Sequence, residues 1–183
     1  MTRREWTVCL AAALAVASLV FTGTIRVLPR LIEARALARF GAPNTMHFAE
    51  RPDASTRRVV RPSPDLLYAV CPFDLANGPL RLTANVPHST YWSVSAFDAV
   101  TNNFFVRDDR QIAGDSIEII AIRRGMALPP LGNTPDRVVL FAPTERGLFL
   151  IRLLINDETQ LTALDAIRRQ ASCEIVVSPP DSG

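Results

Sequence analysis

The sequence predicts a mainly β, sandwich-like (jelly-roll-like) domain behind an N-terminal transmembrane helix, with one further helix near the C-terminus. Three observations predict it. Residues 7–25 form an uncharged, apolar run. From residue 65 onward, short apolar or alternating runs are separated by Gly, Pro, Asn and Asp, the pattern of sandwich strands. Only Leu161, Leu164 and Ile167 space their apolar side chains as one helix face. The expected organisation is an anchor and stalk over 1–40, a linker over 41–64 and a β-sandwich over 65–180.

Thr7 to Ile25 holds 19 residues without a charge, close to the roughly 20 that a helix needs to cross a hydrocarbon core. Arg3 and Arg4 precede it, and Trp6 stands where an interfacial aromatic anchors. A cleaved signal peptide is the competing reading, since Ala15-Val16-Ala17 and Ala36-Leu37-Ala38 have the small-x-small form. The first lies inside the apolar run and the second far beyond it, which favours an uncleaved, single-pass anchor. Cys9 has no lipobox before it and reads as a small apolar residue of that helix. Arginine counting, two before the run and four after it, favours a cytoplasmic C-terminus. A short Arg-Arg tail before a single span is, against that, the layout of an exported domain, which is the expectation adopted. Residues 26–40 continue as a helical stalk with a kink at Pro29.

The strands follow in order. Leu66–Cys71 is the first run. Asn77-Gly78 is a hairpin signal, and Pro79 starts the next strand and places it at an edge. In that strand Leu80, Leu82 and Ala84 alternate with Arg81, Thr83 and Asn85. Tyr91–Phe97 alternates too, with Trp92, Val94 and Ala96 on one face. Asn103–Arg107, Ile117–Ile122 and Arg137–Phe141 are further strands, the last bounded by Pro135 and Pro143. Gly147–Ile155 is the most apolar and therefore central. Asp157 with Gln160 forms a capping-box pattern ahead of the helix. Glu174–Ser178 is a last strand before Pro179-Pro180.

Several function classes drop out. Residues 1–40 carry a balance of +4 and residues 41–183 a balance of −2. The domain thus has no basic stripe, and nucleic-acid binding needs one. A composition 48% hydrophobic and 21% charged excludes disorder. His47 and His88 are isolated and read as surface residues, so no metal site is expected. There is no Gly-x-Ser-x-Gly elbow around Ser89, Ser93 or Ser95, and no Gly-rich phosphate loop. No cofactor is implied. In an oxidising compartment Cys71 and Cys173 would form a disulfide; otherwise they are two buried thiols that never meet.

A family resemblance emerges from residue order. Pro62-Ser63-Pro64-Asp65-Leu66-Leu67-Tyr68, Asp74-Leu75, Gly78-Pro79, then Tyr91, Asp98, Thr101, Asn102 and Asn103 resemble the bacterial domain-of-unknown-function family 1254. Pro143-Thr144, Arg146-Gly147 and Arg152 extend the likeness, which spans residues 60–170. The resemblance implies a β-rich, sandwich-like domain, often exported, with no established activity. It also implies a companion, family 1214, that follows in the same chain in many members and is here expected as a separate protein. Ser63 and Leu66 stand where the family tends to have Asn and Thr. The expected location is a bacterial inner membrane, with the C-terminal domain in the periplasm.

The polar set Asp65, Tyr68, Asp74, Tyr91, Asp98, Asn102 and Arg152 is the candidate ligand-binding site. Arg152 interrupts an apolar strand, and a buried arginine needs a carboxylate from Asp65, Asp74 or Asp98. The competing reading makes the aspartates turn caps and Arg152 a lock between sheets. With no catalytic motif, the expected function is a membrane-anchored envelope domain that binds a partner protein or ligand; the alternative is a hydrolase-type enzyme using Asp and Tyr in a cleft.

Overall fold

A computed structural model describes residues 2–53, 62–132, 134 and 136–176. Two compact units divide at Ala36/Leu37.

The first is helical. Helix α1 (Arg3–Phe40) runs through the expected kink site at Pro29. Its apolar part, Arg3–Leu28, has a mean hydropathy of 2.2 and buries nothing. At 1.5 Å per residue it is about 39 Å long, enough for a core of about 30 Å.

The second unit is two sheets around one core. Five strands form the first sheet: β1 (His47–Phe48), β2 (Leu66–Asp74), β4 (Trp92–Asp98), β5 (Asn103–Asp108) and β8 (Arg146–Leu154). Their order is β1-β2-β8-β4-β5, all antiparallel. The second sheet holds β3 (Leu80–Asn85), β6 (Ser116–Ile122), β7 (Arg137–Phe141) and β9 (Ser172–Ile175), in the order β7-β6-β3-β9. β6 and β7 run parallel, so a long crossover over residues 123–136 joins them. Strand β8 is central, as its continuous apolar character predicts.

Inward side chains of both sheets make the core. Leu67, Phe73, Trp92, Phe149, Ile151 and Leu82 are each at most 2% exposed, and each such burial is worth about 1.5–3 kcal/mol. Phe73 and Phe149 meet at 5.3 Å between ring centroids. A disulfide from Cys71 on β2 to Cys173 on β9 ties sheet to sheet, with Cα atoms 6.4 Å apart and a sequence separation of 102. Closing a loop of that size stabilises by about 4–5 kcal/mol in the chain-entropy model. Gly147 is required where β8 passes β4, because a Cβ there would strike the Phe97 carbonyl and the Phe73 ring.

Several local expectations are corrected. Asn77-Gly78 makes no hairpin, because β2 and β3 lie in different sheets and the turn carries the chain between them. Pro79 does not mark an edge: β3 is flanked by β6 and β9, and Pro79 precedes its first ladder residue, where no donor is missed. The first strand passes Cys71 to Asp74. β1 pairs only Ala69 and Val70; beyond it Asn44 donates its N–H to the Pro72 carbonyl and brackets Asp74, and that contact asks no N–H of Pro72. Part of the expected 41–64 linker is built into the domain as β1; residues 54–61 lie outside the described residues. Asp157 caps a 3-10 turn (Glu158–Gln160) through the Thr159 N–H, and helix α2 (Leu161–Arg168) follows with no side-chain cap from Gln160. The last strand is Ser172–Ile175; Pro135 and residues 177–180 lie outside the described residues.

Candidate functional site

The polar residues singled out from the sequence fall at three places on the five-stranded sheet. The β2–β3, β4–β5 and β7–β8 loops gather at one end of the sandwich. There Asp98, buried at the end of β4, accepts hydrogen bonds from the Val100 and Asn102 N–H groups on Oδ1 and from the Asn102 amide on Oδ2, at 2.8–3.0 Å. This holds a turn in which Thr101 has a φ of +67°, a conformation a β-branched residue rarely adopts. Asp74 accepts from the Ala76 N–H and pairs with Arg146 at 2.8 Å. Thr144 accepts from the Ala99 N–H and donates to the Arg146 carbonyl. Arg123 pairs with Glu145, and beside them lies an open depression of about 390 Å³ lined by Arg123, Arg124, Pro143 and Thr144. The aspartates here cap turns.

At the other end stand Asp65 and the corner built by α2. Asp65 is exposed, and its carbonyl accepts the Ile155 N–H. Arg51 grips Glu158 through two hydrogen bonds. The Glu158 carboxyl is held below its usual value by the hydrogen bonds it accepts from Arg51, against the opposing effect of desolvation. Arg168 is 4% exposed and reaches the Ala49 and Tyr68 carbonyls at 2.7 Å and the Asp165 carboxylate. Burial pulls its guanidinium below the usual value, and Asp165 pulls it back up. Burial pushes the Asp165 carboxyl up, and Arg169 and Arg168 together outweigh it, leaving it below the usual aspartate range. Sequence reading missed Arg168; its only signal was an aspartate three residues earlier on the same helix.

Between these ends lies the outer face of the sheet. Alternation sends Ser93 and Ser95 of β4 and Leu150, Arg152 and Leu154 of β8 away from the core. Tyr68, Arg152 and Ser93 are direct neighbours across β2, β8 and β4, and Tyr91 precedes β4 with 41% of its surface exposed. Tyr68 accepts the Ser63 N–H on its hydroxyl at 2.9 Å. Arg152, half-buried, donates from Nη2 to Ser95 Oγ at 3.3 Å. Its Nε and the Ser93 Oγ are buried with no hydrogen-bond partner. The carboxylate partner expected for Arg152 is not there: among the described residues it makes no ion pair. Asp74 and Asp98 are engaged elsewhere, and at 3.3 Å per residue Asp98 lies about 16 Å further along the strands.

The structure therefore brings Tyr68, Tyr91 and Arg152 onto one face with Ser93 and Ser95, leaves Asp65 at its margin, and sends Asp74, Asp98 and Asn102 to the far end. Such a face can present hydrogen-bond donors and aromatic surface. Among the described residues no group of three or more His, Cys, Asp or Glu could hold a metal ion. His47 bonds the Ala42 carbonyl and His88 pairs with Asp115.

A family model described as a protein of unknown function (DUF1254) matches residues 43–174. No curated protein matches. Among solved structures, the VPA0106 protein from Vibrio parahaemolyticus is similar with a TM-score of 0.61 and 11% identity, over 81% of this chain and 34% of that one. An uncharacterised protein from Burkholderia cenocepacia is similar with a TM-score of 0.50 and 18% identity, over 90% and 44%. At these identities the likeness is one of fold. The chain spans a third to under half of those structures.

Proposed function

The chain belongs to the DUF1254 family of proteins of unknown function, and on that premise we propose that it is a membrane-tethered binding domain, displayed on the periplasmic side of a bacterial inner membrane, without catalysis of its own. The observation that carries the reading is the buried Cys71–Cys173 disulfide joining the two sheets. Disulfides persist in oxidising compartments and are rare in the cytosol. This favours export over the arginine count, and α1 supplies the tether. The partner we propose is a separate protein of family 1214. What supports it is the solved chains of this fold, which carry more than as much polypeptide again beside the matched domain.

A hydrolase-type enzyme would need an acid and a base facing one cavity. The Asp74 and Asp98 carboxylates already hold Arg146 and a turn, and the Tyr68 hydroxyl is engaged by the Ser63 N–H. The binding reading is therefore preferred.

Two measurements test it. Maleimide labelling of intact membranes should modify Cys71 and Cys173 only after reduction and unfolding; labelling on unfolding without reductant would place the domain in the cytosol. Crosslinking followed by mild-detergent purification of the tagged full chain should return one β-rich protein in near-equal amount. A single clean species would overturn the partner.

A further inference from the structure

Arg51, Arg81, Arg123, Arg137, Arg146, Arg168 and Arg169 each meet a carboxylate. Arg110 and Arg124 are exposed and meet no carboxylate among the described residues, and half-buried Arg107 lies over the Phe105 ring; Arg152 is half-buried on the central strand with neither a carboxylate nor a ring. Arg152 lies between leucines on the central strand, with only a serine hydroxyl at 3.3 Å. A half-buried guanidinium without a counter-charge is costly. Directly across from it, Ser93 is 0% exposed and its hydroxyl has no partner. Two unsatisfied donors, Arg152 Nε–H and Ser93 O–H, thus belong to facing residues on one side of the sheet. The Nε groups of Arg81, Arg123 and Arg168 lack a hydrogen-bond partner as well, but each of those guanidiniums pairs with a carboxylate; at Arg152 and Ser93 the donors lack any charged acceptor.

We propose that Arg152, with Ser93 and Ser95, is a recognition site for a single carboxylate group. The charge sets the class. The row Tyr68–Arg152–Ser93–Asp108 and the adjoining row Val70–Leu150–Ser95–Val106 contain no second arginine, and the one carboxylate among them, Asp108, is turned to capping the Asp109–Gln111 turn. One guanidinium matches a monoanion, whereas a phosphate dianion calls for more positive charge. Planar, bidentate recognition is what a guanidinium does for a carboxylate. Tyr91 stands beside the site, exposed, as an aromatic wall. The inference rests on the binding-domain reading above and names the chemistry its site takes.

The test uses the full chain in detergent micelles with 15N-labelled arginine. The Arg152 Nε–Hε resonance is the one lost in Arg152→Lys; if that variant does not fold, the resonance displaced by Ser95→Ala identifies it. Sodium acetate should shift this resonance saturably, and sodium chloride at equal ionic strength should not. Ser93→Ala should raise the half-saturating concentration about tenfold, the loss of one hydrogen bond to a charged group. No acetate response, or an equal response to chloride, overturns the proposal. A resonance protected from exchange yet unmoved by either salt assigns the donors to a structural water and also overturns it. In a second arm, N-acetyl-glutamate amide replaces acetate: tighter saturation assigns the site to an acidic side chain of a partner, and equal or weaker saturation to a free carboxylate ligand. Failure here leaves the copurification test of the partner untouched.

Discussion

The aspartates of the loop end and the arginine–serine pair on the outer face of the five-stranded sheet are treated in opposite ways. At the loop end Asp74, Asp98, Thr144 and Arg146 are all engaged by neighbouring backbone or by each other. On the outer face Arg152 and Ser93 keep buried donors without acceptors. Most residues that carry the family pattern lie in the first group. A recurrent polar motif can therefore be the scaffold of a turn, because a carboxylate beside a tight loop is the nearest acceptor for its stranded N–H groups. Unspent polarity is the better pointer to a site.

Variants can break or sharpen that contrast. The largest effect is expected where a buried arginine meets both a carboxylate and backbone carbonyls. Arg168→Ala should cost about 3–5 kcal/mol, since it leaves the Ala49 carbonyl without its guanidinium donor, takes one of two donors from the Tyr68 carbonyl and leaves Asp165 with Arg169 alone; chemical denaturation checks it, and a loss below that of the loop-end variant would reverse the order. Asp98→Ala should cost about 1–3 kcal/mol by freeing the N–H groups of Val100 and Asn102; an unchanged midpoint would mean that the loop end is not structural.

Arg152→Leu should lie between no change and a gain of about 1 kcal/mol, because an apolar residue replaces an uncompensated charge; a large loss on melting would make Arg152 structural and collapse the contrast. The smallest effect is expected from pH. The Asp165 carboxyl is held below the usual aspartate range in the folded chain. Its contribution is therefore complete at neutral pH and lost as the pH falls through that folded value. The stability gap between wild type and Asp165→Asn should accordingly shrink on acidification, and a gap that widens would reverse the sign.

The sequence by itself determined the architecture. An uncharged run of helix-spanning length, period-2 alternation in β3 and β4, and the apolar β8 depend on local spacing, so they are legible without contacts. It also held the family. Which strands share a sheet was not local: Asn77-Gly78 has hairpin chemistry, yet the chain crosses between sheets there because β2 finds β8 and β3 finds β6. The same holds for part of the site. That Asp98 is spent on its own turn is local and was one of the two readings the sequence offered; only tertiary structure decided that Arg168 would be buried and that the Arg152 Nε would stand by Ser93 with neither satisfied. The physical reason is that these partners are set by strand register and by the docking of α2, which bring together residues 57 to 100 positions apart, and no local pattern encodes that distance.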